Sequence, residues 1–144
     1  VYSTNALLFL QKEFLLMKRL IVSSTDYTPA LDLNPANLTM VFKGVSRPEN
    51  VGLFYQQVID WVDDIAAKAE QLTTKAIKII FKLDYCNSAS QKYILIFLER
   101  LLELRNKGFS LDVEWHYDEG DDKMLEDGED IADAVGIEFS FHTF

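Results

Sequence analysis

Apolar and polar residues alternate with a period of two along several stretches of the chain. From Lys75 to Tyr85, Ile77, Ile79, Phe81, Leu83 and Tyr85 share one face, and Lys78, Ile80, Lys82 and Asp84 share the other. That pattern predicts a half-buried strand. Phe109 to Tyr117 repeats it, with Phe109, Leu111, Val113, Trp115 and Tyr117 against Ser110, Asp112, Glu114 and His116. A last strand sets Ile137, Phe139 and Phe141 against Glu138, Ser140 and His142. Upstream, Ala30–Asn34 and Leu38–Lys43 alternate on either side of Asn34-Pro35-Ala36-Asn37. Those turn residues predict a hairpin. Leu20 to Ser24 is short and β-branched and predicts one more strand, and Gly44 to Asn50, with Pro48, reads as a loop.

Between the later strands the period changes to that of a helix. Phe54, Val58, Trp61, Val62, Ile65 and Ala69 form a stripe over Val51 to Gln71. Ile94, Phe97, Leu98, Leu101 and Leu104 do the same over Ser88 to Asn106, which Gly108 closes. Met124, Leu125, Ile131 and Val135 mark a third helix over Asp121 to Val135, stopped by Gly136. Strands covered on both faces read as continuous apolar runs. These strands are apolar on one side only. The predicted fold class is therefore α/β: a two-layer sandwich of a mixed β-sheet with helices packed on one face.

Composition narrows the picture. With 144 residues, 49% hydrophobic and 26% charged, the chain should fold around one core. Its net charge of −9 argues against nucleic acid or an anionic membrane as the main partner. A single cysteine, Cys86, rules out a disulfide framework within one chain and fits a reducing cytoplasm. Cys86, His116 and His142 are too few for a structural zinc site of the usual Cys/His type, so no metal is expected. Charged residues interrupt Ala6 to Val22, which is then neither a membrane span nor a signal peptide. Met17-Lys18-Arg19 looks like a natural start, so residues 1–16 read as an extension and 17–144 as a single domain. Leu7, Leu8, Leu10, Phe14 and Leu15 would give that extension an amphipathic helix, able to pack on the domain or on a neighbouring chain.

Candidate chemistry is sparse. The common phosphate-loop, dinucleotide, nucleophile-elbow and zinc-protease motifs do not occur. Cys86 and His116 could be imagined as nucleophile and base, but nothing in their spacing requires contact and no oxyanion motif accompanies them; a buried thiol and an exposed histidine are the better reading. The acidic run Asp118-Glu119-Gly120-Asp121-Asp122 misplaces the glycine of a calcium loop. It suits the first turn of the third helix, and it could also offer a negative surface to a basic partner. Ser88-x-x-Gln91 fits a capping box at the junction of strand and helix. The same hydroxyl, at the positive end of a helix, could instead carry a phosphate.

Four segments bear on that choice. Ser46-Arg47-Pro48-Glu49-Asn50 is followed by Val58-Ile59-Asp60-Trp61, then Leu83-Asp84-Tyr85-Cys86-Asn87-Ser88-Ala89-Ser90, then Trp115-His116-Tyr117-Asp118-Glu119. In order and spacing they resemble the SiaC family of bacterial regulatory phosphoproteins, over about Thr25 to Phe141. The resemblance implies a fold like that of anti-sigma-factor-antagonist (STAS) domains. It implies a non-enzymatic, partner-switching protein of the cytoplasm. A kinase would phosphorylate Ser88, a PP2C-type phosphatase would reverse this, and the unmodified form would bind a diguanylate cyclase. The implied partner surface is Arg47, Pro48, Glu49, Asn50, Asn87, Ser88, Ser90 and Tyr117, on a monomer or weak homodimer. Ser88 stands for the family's usual threonine, Ala89 for the following serine, and Arg47 for the usual tyrosine before the proline. Two other readings stay open: a small enzyme using Cys86 or the acidic cluster, and a structural assembly module.

Overall fold

The computed structural model describes residues 3–6 and 17–144. The amphipathic helix expected from Leu7, Leu8, Leu10, Phe14 and Leu15 lies outside the described residues. Six strands form one sheet in sequence order: β1 (Leu20–Val22), β2 (Ala30–Asn34), β3 (Thr39–Ser46), β4 (Ala76–Cys86), β5 (Ser110–Tyr117) and β6 (Phe139–Thr143). The β1–β2 and β2–β3 pairs are antiparallel. From β3 to β6 the strands run parallel. Each parallel step is bridged by a helix: α1 (Val51–Ala67), α2 (Ser88–Glu103) and α3 (Asp122–Val135).

That connectivity explains the two layers. A strand-to-strand crossover is almost always right-handed. All three step the same way across the sheet, so all three helices fall on the same face. The helix-covered face is buried through Leu31, Leu33, Met40, Phe42, Ile77, Ile79, Phe81, Leu83, Val113 and Trp115. Phe42 stacks on Phe81 and Phe97 with ring centroids 4.9 and 5.3 Å apart, tying β3, β4 and α2 together. The opposite face carries Lys78, Asp112, Glu114 and His116. The mixed sheet with helices on one face is the architecture the alternation predicts.

Three details depart from expectation. The β3 strand continues through Gly44 and Val45 to Ser46, where a loop was expected. Its register against β4 slips there: Gly44 pairs with Leu83 but Val45 pairs with Tyr85. One extra β4 residue, Asp84, is left unpaired as in a β-bulge, and alternation beyond it reverses. Tyr85 is therefore 45% exposed, not inward, and Cys86 takes the buried place at 1%. In α1 the buried stripe includes Tyr55 and Ile59, and Phe54 is only half-buried.

The position of α3 is set by one close approach. The Trp115 indole N–H donates to the Met124 carbonyl at 2.9 Å. A side chain on Gly128 would begin 2.6 Å from that indole, so only glycine lets the helix sit this near β5.

Candidate functional site

Because β3, β4 and β5 are parallel, they end at the same edge of the sheet, and α1, α2 and α3 all begin there. Three positive helix ends thus share one end of the molecule. The first turn of α1 lies against α2: a side chain on Gly52 would begin 2.9 Å from the Tyr93 hydroxyl.

The start of α2 differs from the predicted capping box. Its N-cap is Asn87, whose side-chain oxygen accepts from the Ser90 amide at 2.8 Å. The Asn87 amide donates to the Ser46 carbonyl at 3.0 Å, which holds this residue extended beside the end of β3. An N-cap needs such a non-helical backbone. Gln91 reaches back to the Cys86 carbonyl at 3.2 Å. Ser88 is therefore the first residue inside the helix and not the cap. It is exposed, and among the described residues its hydroxyl has no hydrogen-bond partner. Lys92, also exposed, lies one turn along the same side of α2.

Ser90 has the opposite environment. It is fully buried, its hydroxyl donating to the Ser46 carbonyl at 3.1 Å and accepting from the Ser46 hydroxyl at 2.8 Å. The Tyr55 hydroxyl sits 2.6 Å from the Ser46 hydroxyl and completes the chain as donor. Burial pushes the Tyr55 phenol up, so it stays protonated. This network joins β3, α1 and α2. Ser90 was expected on the partner surface, but the structure withdraws it into the core.

Arg47, Pro48, Glu49, Asn50, Asn87, Ser88 and Tyr117 do gather at this end, at or just beyond the ends of β3, β4 and β5. The Arg47 guanidinium lies 5.0 Å over the Tyr27 ring, and its amide donates to the Tyr27 carbonyl at 2.8 Å. Asn50 caps α1, accepting from the Leu53 amide at 3.0 Å. Leu53, 74% exposed, stands in the first turn of α1, and Tyr85 stands at the end of β4. Sequence reasoning missed both. Leu53 could have been found, since it is a leucine off the buried stripe; Tyr85 could not, because the bulge reverses it.

The enzyme constellation does not form. Cys86 is buried beside α2, where burial pushes its thiol up to about 12. His116 lies on the open face of the sheet, beside Lys82. Lys82 is four residues, or about 13 Å of strand, from Cys86. The acidic run is used at the start of α3: Asp121 caps the helix, accepting from the Met124 amide at 3.1 Å. Among the described residues, no helix is long and apolar enough to cross a membrane.

Comparison with known proteins agrees with this geometry. A family model described as SiaC family regulatory phosphoprotein matches residues 22–144. The solved structure of apo-SiaC from Pseudomonas aeruginosa superposes with a TM-score of 0.75 at 26% identity, over 87% of this chain and 98% of that one. A second structure holds the diguanylate cyclase SiaD of Pseudomonas aeruginosa in complex with its activator SiaC. It matches with a TM-score of 0.76 at 26% identity, over 87% of this chain and 99% of that one. An uncharacterized protein of Pseudomonas aeruginosa (strain UCBPP-PA14) is 29% identical over 126 residues, covering 86% of this chain and 95% of the relative.

Proposed function

The chain belongs to the SiaC family of regulatory phosphoproteins, and from that premise we propose that it is a non-enzymatic switch that binds an effector protein through the edge where its helices begin. Ser88 is the phosphoacceptor. A Ser/Thr kinase adds the phosphate, and a PP2C-type phosphatase removes it. The effector is of the diguanylate-cyclase class, the class bound by the similar activator in the solved complex.

One observation carries this reading. Asn87 performs the capping, so the Ser88 hydroxyl is exposed and free of structural work. Ala89 has no hydroxyl and Ser90 is buried, which leaves Ser88 as the accessible acceptor in this turn.

The physics of the switch follows. An unmodified serine can be covered by a partner at small cost. A phosphate adds about −1.5 to −2 charges and must be dehydrated to be covered. Within the domain the α2 amides and Lys92 offset that charge, so the fold tolerates it. A partner seated on exposed Leu53 and Tyr85 offers no such offset unless it brings arginines. The modification then blocks docking without unfolding the protein.

Phosphopeptide mass spectrometry from native cells should find phosphate on Ser88. In a pull-down with the cognate effector, Ser88→Ala should retain binding and Ser88→Asp should lose it. Equal binding by Ser88→Asp and the unmodified protein would sink the switch.

A further inference from the structure

The open face of the sheet carries a second cluster, away from the helix starts. Glu114 and His116 are two residues apart on β5, so they project from the same face. His142 is the register neighbour of His116 on β6. The two imidazole rings stack with centroids 4.8 Å apart and planes 21° from parallel. The His116 Nε2 atom lies 2.9 Å from one Glu114 oxygen. One ligand atom from each of Glu114, His116 and His142 lies within 4.8 Å of the other two.

We propose that Glu114, His116 and His142 form a binding site for a divalent transition-metal ion, with zinc as the best fit. Two imidazole nitrogens and one carboxylate oxygen suit zinc, and copper or nickel next. At metal–ligand bonds of about 2.1 Å, tetrahedral geometry sets the ligand atoms roughly 3.4 Å apart. The Glu114–His116 pair, at 2.9 Å, has only to open by about half an ångström, and the exposed His142 ring, whose Nε2 lies 2.9 Å from the Ser140 hydroxyl, has to turn inward.

The surroundings favour the arrangement. Lys78 holds the other Glu114 oxygen at 2.8 Å, which turns the free oxygen toward His116. Both histidines stand on paired strands, so their Cα positions are set by the ladder and not by a loop. Three protein ligands leave a fourth position open for water or for a donor from another molecule. The expectation of no metal weighed only a four-ligand Cys/His site; an open three-ligand site with a carboxylate falls outside it.

The test is calorimetric titration of the full chain, free of any histidine tag, with zinc chloride at neutral pH. One ion should bind per chain, and His142→Ala and Glu114→Gln should each weaken binding at least tenfold. Asp118→Asn, in the acidic loop, should leave it unchanged. Circular dichroism checks that each variant folds. If Glu114→Gln does not, the exposed His142→Ala decides alone. No zinc binding, or equal binding by His142→Ala, would overturn the site, as would its loss in Asp118→Asn.

Discussion

The starts of α2 and α3 stand at the same edge of one sheet, after neighbouring strands, and each is capped by a side-chain oxygen. Their charge differs. The α3 start has Asp121 as its cap and Asp122 in its first turn, just after Asp118 and Glu119. Its helix dipole is already met by carboxylates. The α2 start has a neutral amide cap, no acidic residue in its first turn and an exposed hydroxyl at its first position. An added phosphate would be repelled at α3 and accommodated at α2. The contrast shows how one edge of a fold can hold an acidic helix start beside a neutral one.

Three measurements would break or sharpen that contrast. The largest effect should come from Gly128→Ala, which forces α3 off Trp115. Because the indole is buried and hydrogen-bonded, chemical denaturation should show a loss of about 3 kcal/mol. A near-neutral result would mean that α3 is not seated as described. Next, Ser90→Ala removes the partner of the buried Ser46 hydroxyl and should cost about 2 kcal/mol, although it lies only two residues from Ser88. The smallest and most discriminating test pairs two neighbours. Asn87→Ala should cost about 1 kcal/mol as a lost cap. Ser88→Ala should stay within about 0.5 kcal/mol, as an exposed substitution. A larger cost for Ser88→Ala than for Asn87→Ala would return the cap to Ser88.

Much of the fold was legible in the pattern of the chain. The period-two runs located the strands, and the helical stripes located α1, α2 and α3. Leu98 and Leu101, four and seven residues beyond Ile94, could face only one way on a helix. The one-sided alternation of β5 required a sheet with an uncovered face. The errors cluster where a tertiary contact outvotes the local pattern. Tyr85 reads as inward until the slip at Gly44/Val45 turns it out. Ser88 reads as the cap until the Asn87–Ser46 hydrogen bond moves the helix start by one residue. Ser90 reads as surface because nothing local announces Ser46 and Tyr55.

The same division holds for the sites. The motifs around Ser46–Asn50, Leu83–Ser90 and Trp115–Glu119 carry the family resemblance in the sequence alone. The three motifs meet because parallel strands bring their ends to one edge. By contrast, nothing in the sequence relates His142 to His116, twenty-six positions apart, until the β5–β6 register sets them side by side.

The sequence alone determined the elements, the covered and open faces of the sheet, and the residue types at the α2 start, because these follow from local periodicity and backbone chemistry. Only the tertiary structure decided which serine of the Asn87–Ser90 turn reaches solvent and which side chains converge on the open face. Those outcomes depend on strand register, where a slip of one residue exchanges inside for outside.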